Sequence, residues 1–201
     1  MPILRHQLLW GGILQSGARL RKMGAHGRLP GLARTLGSTV LRSAVSELPE
    51  SLETLRRKVG QELGVSSWHL VTQAQVDLFA EATGDHQWIH VDPARARSGP
   101  FGGTIAHGYL TLSLLPVLLQ GMVRVPGVAL AVNYGVNRVR FISPVPVGSR
   151  IRAAASVKEA TEIDGGLQLV LTVTVEIEDR EKPACVAETV TRLYLPPSDA
   201  R

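Results

Sequence analysis

Between His107 and about Val123 the chain carries an apolar run that an ordinary surface helix would not tolerate. Leu110, Leu112, Leu114, Leu115, Val117, Leu118 and Leu119 leave it almost no polar face. The segment reads as one long helix that its neighbours must cover on most sides. The chain beyond it is almost entirely strand: Ala129 to Phe141, Arg150 to Thr161, Leu167 to Asp179 and Ala184 to Leu195. In the third of these, Leu169, Leu171, Val173, Val175 and Ile177 alternate with Thr172, Thr174, Glu176 and Glu178. That is the pattern of a sheet with one buried and one solvated face. Asp164-Gly165-Gly166 and Asp179-Arg180-Glu181-Lys182 supply the hairpin turns. A curved antiparallel sheet is the cover this chain offers its helix. The predicted fold class is α+β, a long central helix wrapped by that sheet.

The segments before the helix are shorter. Ser51 to Arg57 reads as a short helix and Ser66 to Val71 as a first strand. Thr72 and Gln75 have the spacing of a capping box, which predicts a helix through about Ala82 with Val76, Phe79 and Ala80 facing inward. Thr83-Gly84 ends that helix and leaves Asp85 on a loop. Asp92-Pro93 marks another helix start, a cap residue followed by proline at the first helical position.

Charge is distributed unevenly. The formal net charge is +5, yet no Asp or Glu precedes Glu47, while Arg5, Arg19, Arg21, Lys22, Arg28, Arg34 and Arg42 all do. The basic excess therefore belongs to residues 1–46, and the body from 47 to 195 is slightly acidic, with 196–201 as a tail. The extension admits three readings: a loosely attached arm, a targeting or membrane-contact segment, or an arm packed on a partner subunit. Its basic residues lack the aromatic interleaving or zinc-ligand spacing of a nucleic-acid binder, so no nucleic-acid partner is expected. Leu8 to Leu14 is too short to cross a membrane, and no transmembrane segment is expected elsewhere. The expected location is the cytoplasm. The single cysteine, Cys185, excludes an internal disulfide framework and reads as a small buried hydrophobe.

The chemistry-bearing residues fall in two places. Phe79 to His90 sets a carboxylate, Asp85, and an imidazole, His90, five residues apart beside Gly84. Such a pair can move protons through a held water. Gly102 to Gly108 brings glycines and His107 to the start of the apolar helix, where free backbone N–H groups can meet an oxyanion. Together they suggest an enzyme with an acid/base pair and a preformed oxyanion site.

Phe79, Thr83, Gly84, Asp85, Ile89, His90 and Ala96 fit a known signature: an aromatic, a small residue with Gly-Asp, an aliphatic with His, and a small residue six positions on. The chain resembles the MaoC-like dehydratase family of the hot-dog fold, which includes R-specific enoyl-CoA hydratases. Gln87-Trp88 stands where that signature has Asn-Pro, and Ala82 where a larger aliphatic is common. The likeness continues through Phe101 to Gly108 and Asn133 to Phe141, and covers about residues 57 to 195. It implies reversible hydration of a trans-2-enoyl-CoA to the (3R)-3-hydroxyacyl-CoA, with Asp85 and His90 holding the water and the Gly108 N–H meeting the thioester oxygen. It also implies a homodimer, no metal or redox cofactor, and coenzyme A or acyl-carrier protein as the carrier of the acyl group. Gly84, Gln87, Trp88, His107, Asn133, Arg138 and Arg140 are candidates for bracing the site or touching substrate, the arginines through CoA phosphates. The competing readings are a hot-dog thioesterase and a non-catalytic acyl-thioester binding module. The first needs a carboxylate on or near the central helix, and His107 to Gln120 has none; the second would lack Asp85 or His90.

Overall fold

The computed structural model describes residues 50–197, so the expectations placed on residues 1–46 lie outside the described part. The element order is α1 Leu52–Arg56, β1 Glu62–Val65, β2 His69–Leu70, α2 Gln73–Thr83, α3 Trp88–Val91, α4 Pro93–Ala96, α5 Gly108–Ser113, α6 Leu115–Val123, β3 Leu130–Phe141, β4 Arg150–Ile163, β5 Gly166–Ile177 and β6 Cys185–Tyr194. The strands form one antiparallel sheet in the order β1-β4-β5-β6-β3, with β2 also paired to β4. The long strands lie within two residues of their predicted bounds because alternation and turn chemistry agree. Asp164 and Gly165 close the β4–β5 hairpin, with Ile163 opposite Gly166 and Gly165 at φ 70°.

The concave face of the sheet is the core. Leu169, Leu171, Val173, Val175 and Ile177 of β5 are buried, as are Ile151, Ala153, Ala155 and Val157 of β4. Against them pack Leu110 of α5 and Leu115, Leu118, Leu119 and Met122 of α6. Cys185 is fully buried there, and desolvation pushes its thiol up to about 11. The outer face carries cross-strand pairs: Arg150 with Glu178, Arg152 with Glu176 at 2.8 Å, and Lys158 with Glu188 at 2.9 Å.

Two expectations require correction. The single long helix is two, breaking at Leu114. Pro116 has no N–H to offer the Leu112 carbonyl, so the helical ladder is interrupted there and restarts with proline in the first turn of α6. The sheet buries most of both helices but leaves Tyr109 and Val117 70% and 54% exposed. The first strand is Glu62–Val65 rather than Ser66–Val71, where only His69–Leu70 pairs. The glycine at position 64 disguises this strand, since its φ of 122° accompanies a bulge between Glu62 and Gly64 while Leu63 and Val65 still point inward.

Among the described residues no helix is long and apolar enough to cross a membrane.

Candidate active site

Helix α2 delivers the carboxylate. Thr72 accepts from the Gln75 N–H at 3.3 Å, and the Gln75 side chain accepts from the Thr72 N–H at 3.1 Å, so the capping box is complete. At the other end Gly84 adopts φ 77° and donates its N–H to the Ala80 carbonyl. A left-handed residue of this kind stops the helix and turns the chain, and glycine adopts it without a Cβ penalty. Asp85 comes next. Its Oδ1 accepts a long 3.4 Å bond from the Gln87 N–H, and its side chain is 57% exposed.

His90 is held quite differently. The loop expected around it contains a single helical turn, α3, and the imidazole is buried. Its Nδ1–H donates to the Ile105 carbonyl at 2.7 Å, while the Ile105 N–H donates to the Ile89 carbonyl at 3.0 Å. With a carbonyl as the Nδ1 partner, the neutral ring carries its lone pair on Nε2. Desolvation by burial lowers the pKa of His90 below its ordinary 6.5; the Ile105 bond opposes this, His107 adds to the lowering, and Asp85 opposes it. Burial thus favours the neutral ring, with Nε2 as the nitrogen able to accept a proton.

His107 lies against both. It is buried, its Nε2–H donates to the Asp85 backbone carbonyl at 2.9 Å, and its ring stacks on that of His90 at 3.7 Å between centroids and 26° between planes. Phe79 packs on it at 5.0 Å. Asp85, His90 and His107 each place one ligating atom within 4.8 Å of the others. Near-parallel rings carry their in-plane lone pairs side by side rather than converging. The cluster therefore suits proton transfer better than a tetrahedral metal.

Sequence reasoning missed Gln73, the first residue of α2. Its Nε2 donates to the His90 carbonyl at 2.7 Å and to Asp77 at 2.8 Å, and its Oε1 accepts from the Thr104 hydroxyl at 2.6 Å. One amide thus ties α2, α3 and the strand-like segment before α5 together. No periodicity or motif flags such a residue, because its partners are 17 and 31 positions away.

His90 opens into a cavity of about 270 Å³ lined also by Gly108, Thr111, Phe141 and Pro144. Gly108 begins α5, so its N–H lacks a helical acceptor. The Phe141 ring lies so close that a Cβ on Gly108 would come within 2.9 Å of it. Since α5 has only six residues, any oxyanion stabilisation here comes from local N–H groups rather than from the dipole of a long helix. A larger, mainly apolar cavity of about 720 Å³ lies between α5–α6 and strands β3 and β6, lined by Leu115, Pro116, Leu119, Asn133, Val136 and Leu193. Of the Asp85, His90 and His107 cluster, His90 borders the smaller cavity and none borders the larger one.

The remaining candidates separate from the cluster. Trp88 packs on Gly99, with the Arg95 guanidinium 4.5 Å from its ring centre. Gln87 contributes its backbone N–H, and Asn133 borders the larger cavity. Arg138 and Arg140 are exposed on β3, Arg140 donating to the Val139 carbonyl. His86 is half-exposed and 3.8 Å from Glu81.

The family description "MaoC like domain" matches residues 54–180. The chain is 55% identical over 144 residues to 3-hydroxyacyl-thioester dehydratase Z of Mycobacterium tuberculosis, an alignment spanning 71% of this chain and 95% of that protein. It is 48% identical to nodulation protein N of Rhizobium leguminosarum bv. viciae, over 74% and 94% of the two chains. Among solved structures, an (R)-hydratase from A. caviae involved in PHA biosynthesis superposes with a TM-score of 0.55 at 29% identity, covering 69% of this chain and 96% of that one. A bent central helix in a curved antiparallel sheet, the Gly84-Asp85 turn with buried His90, and these alignments agree: the chain belongs to the MaoC-like dehydratase family of the hot-dog fold.

Proposed function

We propose that this protein hydrates a trans-2-enoyl thioester reversibly to the (3R)-3-hydroxyacyl thioester, with Asp85 and His90 as its catalytic pair. The observation that carries this is the buried His90, its Nδ1–H committed to the Ile105 carbonyl, its ring beside the Asp85 carboxylate and its cavity bordered by Gly108. In the hydration direction a water sits between the two side chains. Asp85 accepts one of its hydrogen bonds and orients it. The water oxygen bonds to C3 as His90 Nε2 takes its proton, and negative charge moves to the thioester oxygen, where the Gly108 N–H meets it. The imidazolium then returns a proton to C2 on the same face, giving syn addition and a neutral His90 again. Dehydration runs the same steps backward, and metabolite levels set the direction.

The acyl tail fits the larger cavity, whose walls are supplied by α6, β3 and β6. The head of the thioester carrier, coenzyme A or acyl-carrier protein, would lie outside, within reach of β3, where Arg138 and Arg140 are exposed. Thioester hydrolysis is the weaker reading, because neither α5 nor α6 carries an Asp or Glu to direct water at the carbonyl. The relatives' names point the same way, one of them being a 3-hydroxyacyl-thioester dehydratase.

The reading also includes a homodimer. Among the described residues β3 pairs only with β6, leaving a twelve-residue edge that carries exposed Leu130, Tyr134 and Val136. A long apolar edge invites a second strand, and a second copy related by a two-fold axis supplies one to both protomers at once.

The purified protein should hydrate crotonyl-CoA and longer 2-enoyl-CoA esters with loss of enone absorbance, and chiral analysis should return the (3R) product. Release of free CoA without hydration, or the (3S) product, would overturn the assignment. We further read residues 1–46 as separate from the 47–195 domain. A chain starting at Ser46 is expected to fold and hydrate crotonyl-CoA at the full-length rate. Insolubility or loss of turnover in that shorter chain would show that the extension completes the fold or the pocket.

A further inference from the structure

The hydration chemistry needs a carboxylate, one imidazole and a backbone amide; it has no evident use for a second imidazole. Yet His107 is buried more deeply than His90, and its Nδ1 is a buried nitrogen that finds no hydrogen-bond partner among the described residues. A ring that only filled space could be apolar and would leave no orphaned atom. What distinguishes His107 is that it touches both members of the pair through different parts of one ring.

We infer that His107 is a positioning residue for this reaction: its Nε2–H pins the turn that carries the Asp85 carboxylate, and its face sets the tilt of the His90 ring. The inference rests on the hydratase reading for its purpose, and on ring contacts for its geometry. The Asp85 turn needs such a pin. Apart from the Gly84 cap, it is held by the 3.2 Å bond from the His86 N–H to the Gly84 carbonyl, the 3.4 Å Gln87 bond and the shorter 2.9 Å bond from His107 to the Asp85 carbonyl, the one of these that reaches it from another element. His90 needs one as well. Its Nδ1 bond to Ile105 fixes one point, about which the imidazole could still swing; the stacked face of His107 supplies the second constraint. Phe79 from α2 then backs His107 at 5.0 Å. The carboxylate turn and the imidazole are therefore aligned against one rigid element at the head of α5, which also presents Gly108.

The electrostatic consequence has a definite sign. Asp85 faces His90 from the turn after α2, and His107 faces it from the start of α5. Asp77 of α2 reaches only the His90 carbonyl side, through Gln73, and Asp92 at the end of α3 is occupied by the Arg95 N–H. The cavity wall opposite is Phe141, Pro144 and Val145, none of which titrates. Burial is the main cause of the lowered His90 pKa, and His107 contributes to the lowering. His90 acts as a base only when neutral. Its rate should hold as pH falls through 6.5 and decline only below that value. Removing His107 in favour of a neutral polar side chain moves the decline to higher pH.

Two substitutions separate the two contacts. His107→Phe keeps a ring face and loses the N–H; His107→Gln keeps an amide donor and loses the ring. In His107→Phe, kcat for crotonyl-CoA hydration should fall on the order of tenfold or more, with KM changed much less. His107→Gln should retain more kcat than His107→Phe, while the acid limb of its kcat/KM profile moves up. The ¹⁵N titration of the His90 ring by NMR should shift upward by the same amount. Wild-type kcat in folded His107→Phe, or an acid limb and His90 titration both unmoved in His107→Gln, would overturn the role. If His107→Phe does not fold, the His107→Gln titration decides alone. Should the wild-type protein hydrate no enoyl thioester, the hydratase reading falls, while the NMR titration still tests the contact between the two rings.

Discussion

Replacing Asp85 with Asn is expected to slow crotonyl-CoA hydration by about a hundredfold or more, the usual scale of a general acid–base contribution. The substitution keeps the size of the side chain and leaves the Gly84 turn and the His107 bond to the backbone carbonyl intact, so the loss would report on the carboxylate itself. His90→Ala should do comparable damage, since Nε2 is the atom that takes the proton. The double variant should be little slower than either single one, because both groups grip the same water and neither works alone. Stopped-flow or steady-state rates on the three proteins, with circular dichroism to show that each is folded, provide the check. Near-normal turnover in Asp85→Asn would leave the proposed chemistry without its water-orienting group. A double variant slowed by the product of the two single effects would mean that the groups act independently.

The second large effect concerns assembly. Sedimentation at assay concentration should show a dimer, and dilution far enough to dissociate it should remove most of the turnover, because β3 lines the cavity proposed for the acyl tail and would lose its neighbour. Each chain supplies both Asp85 and His90 to one cluster. Mixing Asp85→Asn subunits with His90→Ala subunits should therefore restore no activity, since neither site of a hybrid dimer would contain both groups. Strong recovery on mixing would show that the pair is shared across the interface. A monomer with full activity would remove the dimer from the account.

The sequence was most legible where local and global demands coincide. The β5 alternation, the Thr72 capping box and the Asp164-Gly165 turn each carry a short-range signal that the tertiary fold also uses, and their positions follow from pattern alone. The α5–α6 break is hidden for an equally local reason. Apolar content dominates 107–123, whereas the structural consequence of Pro116 depends on one missing N–H. The family signature points to Asp85 and His90, the pair proposed here as catalytic, but it is silent on what holds them. Gln73, Thr104 and the Ile105 carbonyl act through contacts between segments distant in sequence, where neither spacing nor periodicity carries information. From the same strand β3, Phe141 lines the cavity beside His90, while Arg138 and Arg140 are exposed outside it, where the carrier head is proposed to lie.

The break at Leu114 divides labour along the chain. The first turn of α5 stays with His107 and the candidate proton-transfer groups through Gly108; Leu112 and Ser113 at its end begin the wall of the apolar cavity, and α6 beyond the break adds Leu115, Pro116 and Leu119. Bulk exchanged at position 119 or 123 would lengthen or shorten that cavity without pulling on the ladder that places Gly108. A continuous helix would transmit each such adjustment to its first turn. An interrupted one lets substrate range diverge among descendants of this chain while the reacting geometry is inherited unchanged.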